Sequence, residues 1–299
     1  MRKVLYIVGL TTMILFNATA VSASNDIYYT NRENIEMTEE EYHNLENLGF
    51  TEMQIYRMDE QTFLDNKDIE ATLVSDEKKI IKTTTVIRNG ITTSYNTILS
   101  EDELQQENLV HFQQPGYGTN SYGNFYDGMS YDSVKEIDVR IAILDDNYAR
   151  FKIDTYWDYI PSYRYHDIAG IYFDGSKLQI SSIIMHRQDY VTLLGSFGYS
   201  EECYVKEDNN SGSVVFELPS GSLNSLESYM YFNVHKRSTA GTITTMTATG
   251  DYAHAHSSSA TQSVLNNFTM HSYGIDLAYE YAGYYDNIPE TSAVFVGQW

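Results

Sequence analysis

The stretch "YAHAHSSS" holds the sharpest local arrangement for metal chemistry in this 299-residue chain. On an extended strand, His254 and His256 would point to one face, about 7 Å apart. Two imidazoles so placed suit zinc, with His271 or Asp251 as a third ligand. No H-E-x-x-H helix accompanies them. The competing reading is a pair of solvent-facing histidines on an Ala/Ser/Thr strand, and the residue types favour it. Calcium has weaker footing. In "KEDNNSGS", Asp208, Asn210 and Gly212 alternate. An EF-hand loop starting at Asp208 needs glycine sixth and glutamate twelfth, where Ser213 and Pro219 stand. A hairpin turn explains the residues better, and only a looser calcium turn survives. No other cofactor is implied.

A second cluster is "WDYIPSYRYHDIAGIYF", Trp157 to Phe173, with Trp, Arg, His and Asp within eleven residues. His166 there has the chemistry of a general base, but that role needs a nucleophile or water held nearby. The same residues read as strand, turn and strand: Trp157 closes one strand, Pro161 turns the chain, and Ile168, Ile171 and Phe173 enter the next. Arg164 and Asp167 are then expected to pair at the corner. The structural reading is the stronger. Nucleophilic catalysis finds no motif. There is no G-x-S-x-G, and the single cysteine, Cys203, follows two glutamates that disfavour a thiolate.

Tyrosine is the more useful clue. The chain holds 27, many in "YGTNSYGNFYDGMSY", "DYIPSYRYH" and "YEYAGYYD". Tyrosine offers a large contact area with a polar end, so it serves binding surfaces well. Trp157, Tyr163, Tyr165, Tyr284 and Tyr285 are therefore the candidate ligand-binding residues, with sugar stacking one use. Ordinary strand chemistry is the bland alternative, since tyrosine is a good strand former.

The elements that must position these side chains follow from periodicity. Thr38 with Glu41 and Thr51 with Gln54 are capping boxes. Tyr42, Leu45 and Leu48 recur at helical spacing, and Gly49 is placed to end that helix. Asp59 begins a third short helix. Residues 37–66 are thus a small helical unit with Leu45, Leu48, Phe50, Ile55, Met58 and Phe63 as its core, preceded by a polar leader over 24–36. Residues 67–110 read as a β-hairpin turning at Asn89-Gly90 and a short helix capped by Ser100 and Glu103. A Gly/Asn/Tyr-rich linker spans 111–130. From 131 to 299 the period is two: Ile137, Val139, Ile141 and Ile143, then Ala149, Phe151, Ile153 and Thr155. Many short strands with recurrent turn signals imply a mainly β fold, an antiparallel β-sandwich preceded by the helical unit.

The first residues imply export. A basic "MRK", an apolar "VLYIVGLTTMILF" and small residues at Val21 and Ala23 form a signal peptide over 1–23. The expected product is secreted and extracellular, with no stable membrane anchor. A formal net charge of −22 repels phosphate backbones and anionic lipid, so nucleic acid is not an expected partner. One cysteine cannot make an internal disulfide, so stability rests on the core. Three segments also resemble a set of uncharacterised secreted proteins of Gram-positive bacteria. They are the acidic helical start with its "LGF" turn, the Trp-x-x-Ile-Pro…Arg…Asp-Ile strand pair, and the closing "YGIDLAYEYAGYYDNIP". The resemblance implies secretion and a shared fold, and no activity.

These observations imply an extracellular binding protein for an unknown ligand, of which glycan or cell-envelope material is one class. A hydrolase with a carboxylate or His site is the alternative. A pore-forming protein is the third, from the Thr/Ser-rich "STAGTITTMTATGDYAHAHSSSATQSV" read as a hairpin about Gly250-Asp251. Its membrane side would be Ala240, Thr242, Thr244, Met246 and Ala248, too weakly apolar for a strong case.

Overall fold

Three short helices open the fold because each begins with a side chain that takes up orphan backbone N–H groups. α1 (Glu39–Asn47) starts at Thr38 and α2 (Glu52–Arg57) at Thr51, both with complete capping boxes, and α3 (Glu60–Asn66) starts at Asp59. Gly49 follows α1 at φ +89°, a left-handed conformation that favours glycine. It turns Phe50 back so that its N–H donates to the Leu45 carbonyl. The computed structural model describes residues 27–89, 91–113, 130–161, 163–286 and 288–299. The expected signal peptide, the first residues of the polar leader and most of the 111–130 linker lie outside them.

The strands are β1 (Tyr29–Thr30), β2 (Glu36–Met37), β3 (Thr72–Arg88) and β4 (Ile91–Leu99), followed by α4 (Glu101–Gln113). Then come β5 (Ser130–Ile143), β6 (Tyr148–Tyr159), β7 (His166–Tyr172), β8 (Leu178–Ile180), β9 (Met185–Thr192) and β10 (Phe197–Ser200). The chain closes with β11 (Tyr204–Asp208), β12 (Ser211–Glu217), β13 (Leu223–Lys236), β14 (Thr245–Ala253), β15 (Phe268–His271), β16 (Gly274–Leu277), α5 (Tyr279–Ala282) and β17 (Thr291–Val296).

The fold is an antiparallel β-sandwich. One sheet runs β10-β9-β13-β6-β5-β3-β4, with β8 also on β13, and the other runs β11-β12-β7-β14-β17. Ile137, Val139 and Ile141 of β5, Phe151 and Ile153 of β6 and Phe232 of β13 face Ile171, Val214, Phe216, Ala248 and Tyr252 of the smaller sheet. Full burial of each such side chain contributes roughly 1.5–3 kcal/mol. The sheets meet closely at Gly250, where an added Cβ would lie 2.5 Å from Val139 Cγ2.

The hairpin of residues 67–110, read from sequence as separate from the 131–299 sandwich, is part of it. β3 pairs with β5 from Thr72 opposite Ile143 to Val86 opposite Ser130. The expected 111–130 linker therefore falls between β4 and β5 of one sheet and does not divide two domains. The hairpin imagined about Gly250-Asp251 is also corrected. β14 runs straight through both residues, paired with β7 on one side and β17 on the other, because glycine is needed there for close sheet approach and not for a turn.

The larger sheet is covered on both faces. Alternation along β6 sends Ala149, Phe151, Ile153 and Trp157 into the sandwich and Arg150, Lys152 and Asp154 to the opposite side. There the helical unit docks, with Leu45, Leu48, Phe50, Ile55, Met58 and Phe63 packed on Tyr229 and Tyr231 of β13. Phe50 meets both rings edge-on, at 5.9 and 5.6 Å. Several polar groups beneath find partners across the joint. Lys152 Nζ donates to Gln54 Oε1 at 2.9 Å, Arg150 to Asn66 Oδ1 at 2.6 Å, and Arg187 to the Arg57 carbonyl at 2.9 Å.

Candidate ligand-binding face

Asp167 sits on β7, fully buried, where the neighbouring β14 ends at Ala253. The freed end of β14 needs acceptors, and the Asp167 carboxylate supplies them. It accepts from Tyr252 Oη at 2.6 Å, from the Ala255 N–H at 2.9 Å and from His254 Nδ1 at 2.9 Å. Because a carboxylate only accepts, His254 carries its proton on Nδ1. The His254 ring also stands edge-on to Trp157, centroids 5.0 Å apart. This histidine–aspartate pair is closed to solvent: His254 is 5 % exposed and Asp167 0 %. Arg164 turns elsewhere, donating to the Pro219 carbonyl at 3.0 Å and to the Gly221 carbonyl. The corner expected from an Arg164–Asp167 pair is thus held by backbone carbonyls and by β14.

The zinc reading does not survive this geometry. β14 stops before His254 and Ala255 bridges to Tyr285, so the strand spacing assumed for His254 and His256 does not apply. His254 Nδ1 is occupied by Asp167, and burial lowers the pKa of half-buried His256. Asp251 takes the N–H groups of Tyr252 and Ile275, each at 2.7 Å. His271 stacks on Tyr273 at 4.8 Å. Among the described residues no three His, Cys, Asp or Glu side chains are placed to hold a metal ion. The "KEDNNSGS" segment is the turn of the β11–β12 hairpin, with Asp208 opposite Ser211. Cys203 lies just before β11, and burial pushes its thiol up to about 11.

Of the five aromatic candidates, two are scaffold. Trp157 is 1 % exposed because it occupies the inward phase of β6. Tyr285 is 4 % exposed, and its hydroxyl donates to the His166 carbonyl at 2.9 Å. That bond draws the start of β7 against the segment after α5. Tyr163, Tyr165 and Tyr284 remain half-buried at the surface. Tyr163 and Tyr165 stack, centroids 6.1 Å apart and planes at 24°. Tyr281 meets Tyr284 edge-on at 6.1 Å, and its hydroxyl is 3.2 Å from Ser263 Oγ. Tyr165, Tyr281 and Tyr284 rest on one apolar cluster that includes Ile168, Val215, Ala255, Val264 and Phe268. Tyr279, two residues before Tyr281 on α5, is 99 % exposed and lies outside that cluster. The result is an aromatic face, rigid beneath and open above. Tyr279 and Tyr281 were not singled out from sequence; their i, i+2, i+5 spacing with Tyr284 in "YEYAGYY" was the available signal.

The sequence reading also passed over Lys135 and Asp286. Lys135 Nζ lies 3.1 Å from Asp286 Oδ2, with both side chains buried. It stands 4.7 Å from the Trp157 ring centre and 5.4 Å from that of Tyr252. Lys135 lies two residues before Ile137, in the inward phase of β5, and that phase was the legible sign of it.

No protein-family model matches the chain, and no curated protein does. Solved structures offer remote likenesses. A collagen-binding domain from a Staphylococcus aureus adhesin shares 12 % identity at a TM-score of 0.24, covering 37 % of this chain and 77 % of that one. The C-terminal domain of the Streptococcus agalactiae AgI/II polypeptide BspA shares 7 % at 0.28, covering 61 % and 75 %. The S. aureus collagen adhesin shares 9 % at 0.24, covering 61 % and 75 %. Likeness at this level fixes neither ligand nor activity.

Proposed function

We propose that this protein acts outside the cell as a binding protein, engaging glycan or envelope material through the tyrosine face of Tyr163, Tyr165, Tyr281 and Tyr284. The observation that carries this reading is the convergence of two tyrosine-rich segments, far apart in sequence, on one side of the smaller sheet. Such rings present flat apolar surfaces with hydroxyls at the rim, which suits stacking on a sugar with hydrogen bonds around it. The apolar cluster beneath fixes several of the rings before a ligand arrives, so little side-chain freedom is lost on binding. A signal peptide and an acidic surface fit an extracellular setting. The hydrolase alternative has less support, because the histidine–aspartate pair it would use is walled in by Trp157 and Tyr252.

The test is binding to a glycan array and to purified peptidoglycan sacculi, with wild type beside Tyr163→Ala and Tyr284→Ala. Wild type should bind at least one of these, and each substitution should weaken it by about tenfold, the equivalent of about 1.4 kcal/mol. Binding that ignores both substitutions, or no binding to either material, would overturn the proposal.

A further inference from the structure

Lys135 and Asp286 are the most completely buried lysine–carboxylate pair among the described residues, at 0 % and 2 % side-chain exposure. They lie 151 residues apart in sequence and join β5 of the larger sheet to the segment entering β17 of the smaller one. Asp286 is held firmly. Its backbone N–H donates to the His254 carbonyl at 2.9 Å, and its Oδ1 accepts from the His254 N–H at 2.7 Å. Oδ2 is left facing Lys135 Nζ at 3.1 Å, between the rings of Trp157 and Tyr252.

From this arrangement we propose that Lys135 Nζ and Asp286 Cγ condense to an amide, an internal covalent cross-link between the two sheets formed with loss of one water. The condensation begins as one ammonium proton passes across the 3.1 Å contact to Oδ2, leaving an amine facing a carboxylic acid. The Nζ lone pair then attacks Cγ. The Nζ–Cγ bond forms as the carbonyl electrons move onto Oδ1, where the His254 N–H already points, as a preformed donor for the developing oxyanion. A second proton passes from nitrogen to Oδ2, the Cγ–Oδ2 bond breaks, and water departs. Of the three ammonium protons one stays on the amide and two leave with Oδ2. No oxidant, reductant or further reactant enters. Fixing the two groups in contact supplies the proximity that an intermolecular condensation lacks.

In this proposal the relay of the second proton falls to Asp251. It lines the same pocket as Asp286, about 220 Å³ in volume, together with Tyr252, Ile275 and Ile288. Burial raises its carboxyl to about 7, with the Asp286 charge adding to the effect, so it takes up and releases a proton near neutrality. The same pocket gives the departing water a way out. The link also answers a need of the chain. With Cys203 alone, no internal disulfide can form, and a bond closing a loop of this length restricts the unfolded chain as a disulfide would.

The test is intact mass spectrometry of the folded chain, followed by digestion under denaturing conditions. Wild type should be lighter than its sequence by one water, and one fragment should carry the Lys135 and Asp286 peptides joined. Lys135→Met should have the full sequence mass. Asp286→Asn should lose ammonia in place of water, a signature that packing alone cannot produce. Wild type at full sequence mass, with the Lys135 peptide recovered unmodified, would sink the proposal. So would a lost water that maps to any other pair. The wild-type digest decides the matter even where a variant does not fold.

Discussion

Replacing Glu227 by glutamine isolates the energetics of the interface between the helical unit and the larger sheet. Glu227 lies on β13 and is 5 % exposed. Its Oε1 accepts from Gln54 Nε2 at 2.7 Å, and Arg57 Nη1 is 3.5 Å from Oε2. Burial, with the charge of Asp154 beside it, pushes the carboxyl up to about 7 from an ordinary 4.5. The folded protein therefore holds this proton more tightly than the unfolded chain does. The resulting stability is fully present below pH 4.5 and is lost as pH rises through about 7. The gap corresponds to about 3 kcal/mol at most. Glutamine keeps the size and the acceptor for Gln54 but has no proton to lose. Urea unfolding of Glu227→Gln and wild type should thus give similar stabilities at about pH 5 and a variant favoured by up to about 3 kcal/mol at about pH 8.5. Asp138, Asp158 and Asp251 also carry raised values, but they are common to both proteins and cancel in the difference. A difference that stays constant across this range would refute the argument that Glu227 is buried against charge.

Three further substitutions probe other joints. Phe50→Ala removes a ring that is 3 % exposed between Tyr229 and Tyr231 and should cost about 3–5 kcal/mol in urea unfolding; a loss under about 1 kcal/mol would mean the helical unit is not held through this ring. Gly250→Ala puts a Cβ 2.5 Å from Val139 Cγ2 and should lower stability by about 1–3 kcal/mol, seen as a reduced Tm. An unchanged Tm would show that the sheets separate there without strain. Thr38→Ala deletes the capping box of α1 and should cost about 1 kcal/mol, with Thr38→Ser retaining most of the stability.

How far the sequence could be read depended on which face of an element was in question. The helix starts at Thr38, Thr51 and Asp59 were legible because each is a local contest for backbone N–H groups. The inward residues of β5 and β6 were legible because apolar side chains recur every second position. The docking of the helical unit was not, because the sheet face that receives it carries Arg150, Lys152, Asp154, Arg187 and Asp189. Charges in the outward phase read as solvent-facing, and only Gln54, Arg57, Asp59 and Asn66 coming from far away in sequence make them interior. Trp157 was misread for the opposite reason. Its phase, shared with Ala149, Phe151 and Ile153, already placed it inside, while the company of Arg164, His166 and Asp167 suggested a site. The tyrosine face was half legible: Tyr163, Tyr165 and Tyr284 reach the surface, but the bond from Tyr285 to the His166 carbonyl that gathers them depends on chain reversal after α5.

The two faces of the larger sheet should therefore yield in different ways. Opening the sandwich exposes Ile137, Val139, Phe151, Phe216 and Phe232 to water, a loss proportional to apolar area. Lifting the helical unit exposes Tyr229, Tyr231 and Phe50 but also returns Arg150, Lys152, Asp154 and Glu227 to a solvent that hydrates them well. Rehydration of these charges offsets part of the apolar loss. The unit is thus more weakly held than its complete burial suggests, and the sandwich sets the global stability. The tyrosine face is built on the smaller sheet, on the far side of the sandwich core from that joint. Its rings keep their placement whether or not the helical unit is seated, so the ligand binding proposed for them should not depend on the weaker of the two joints.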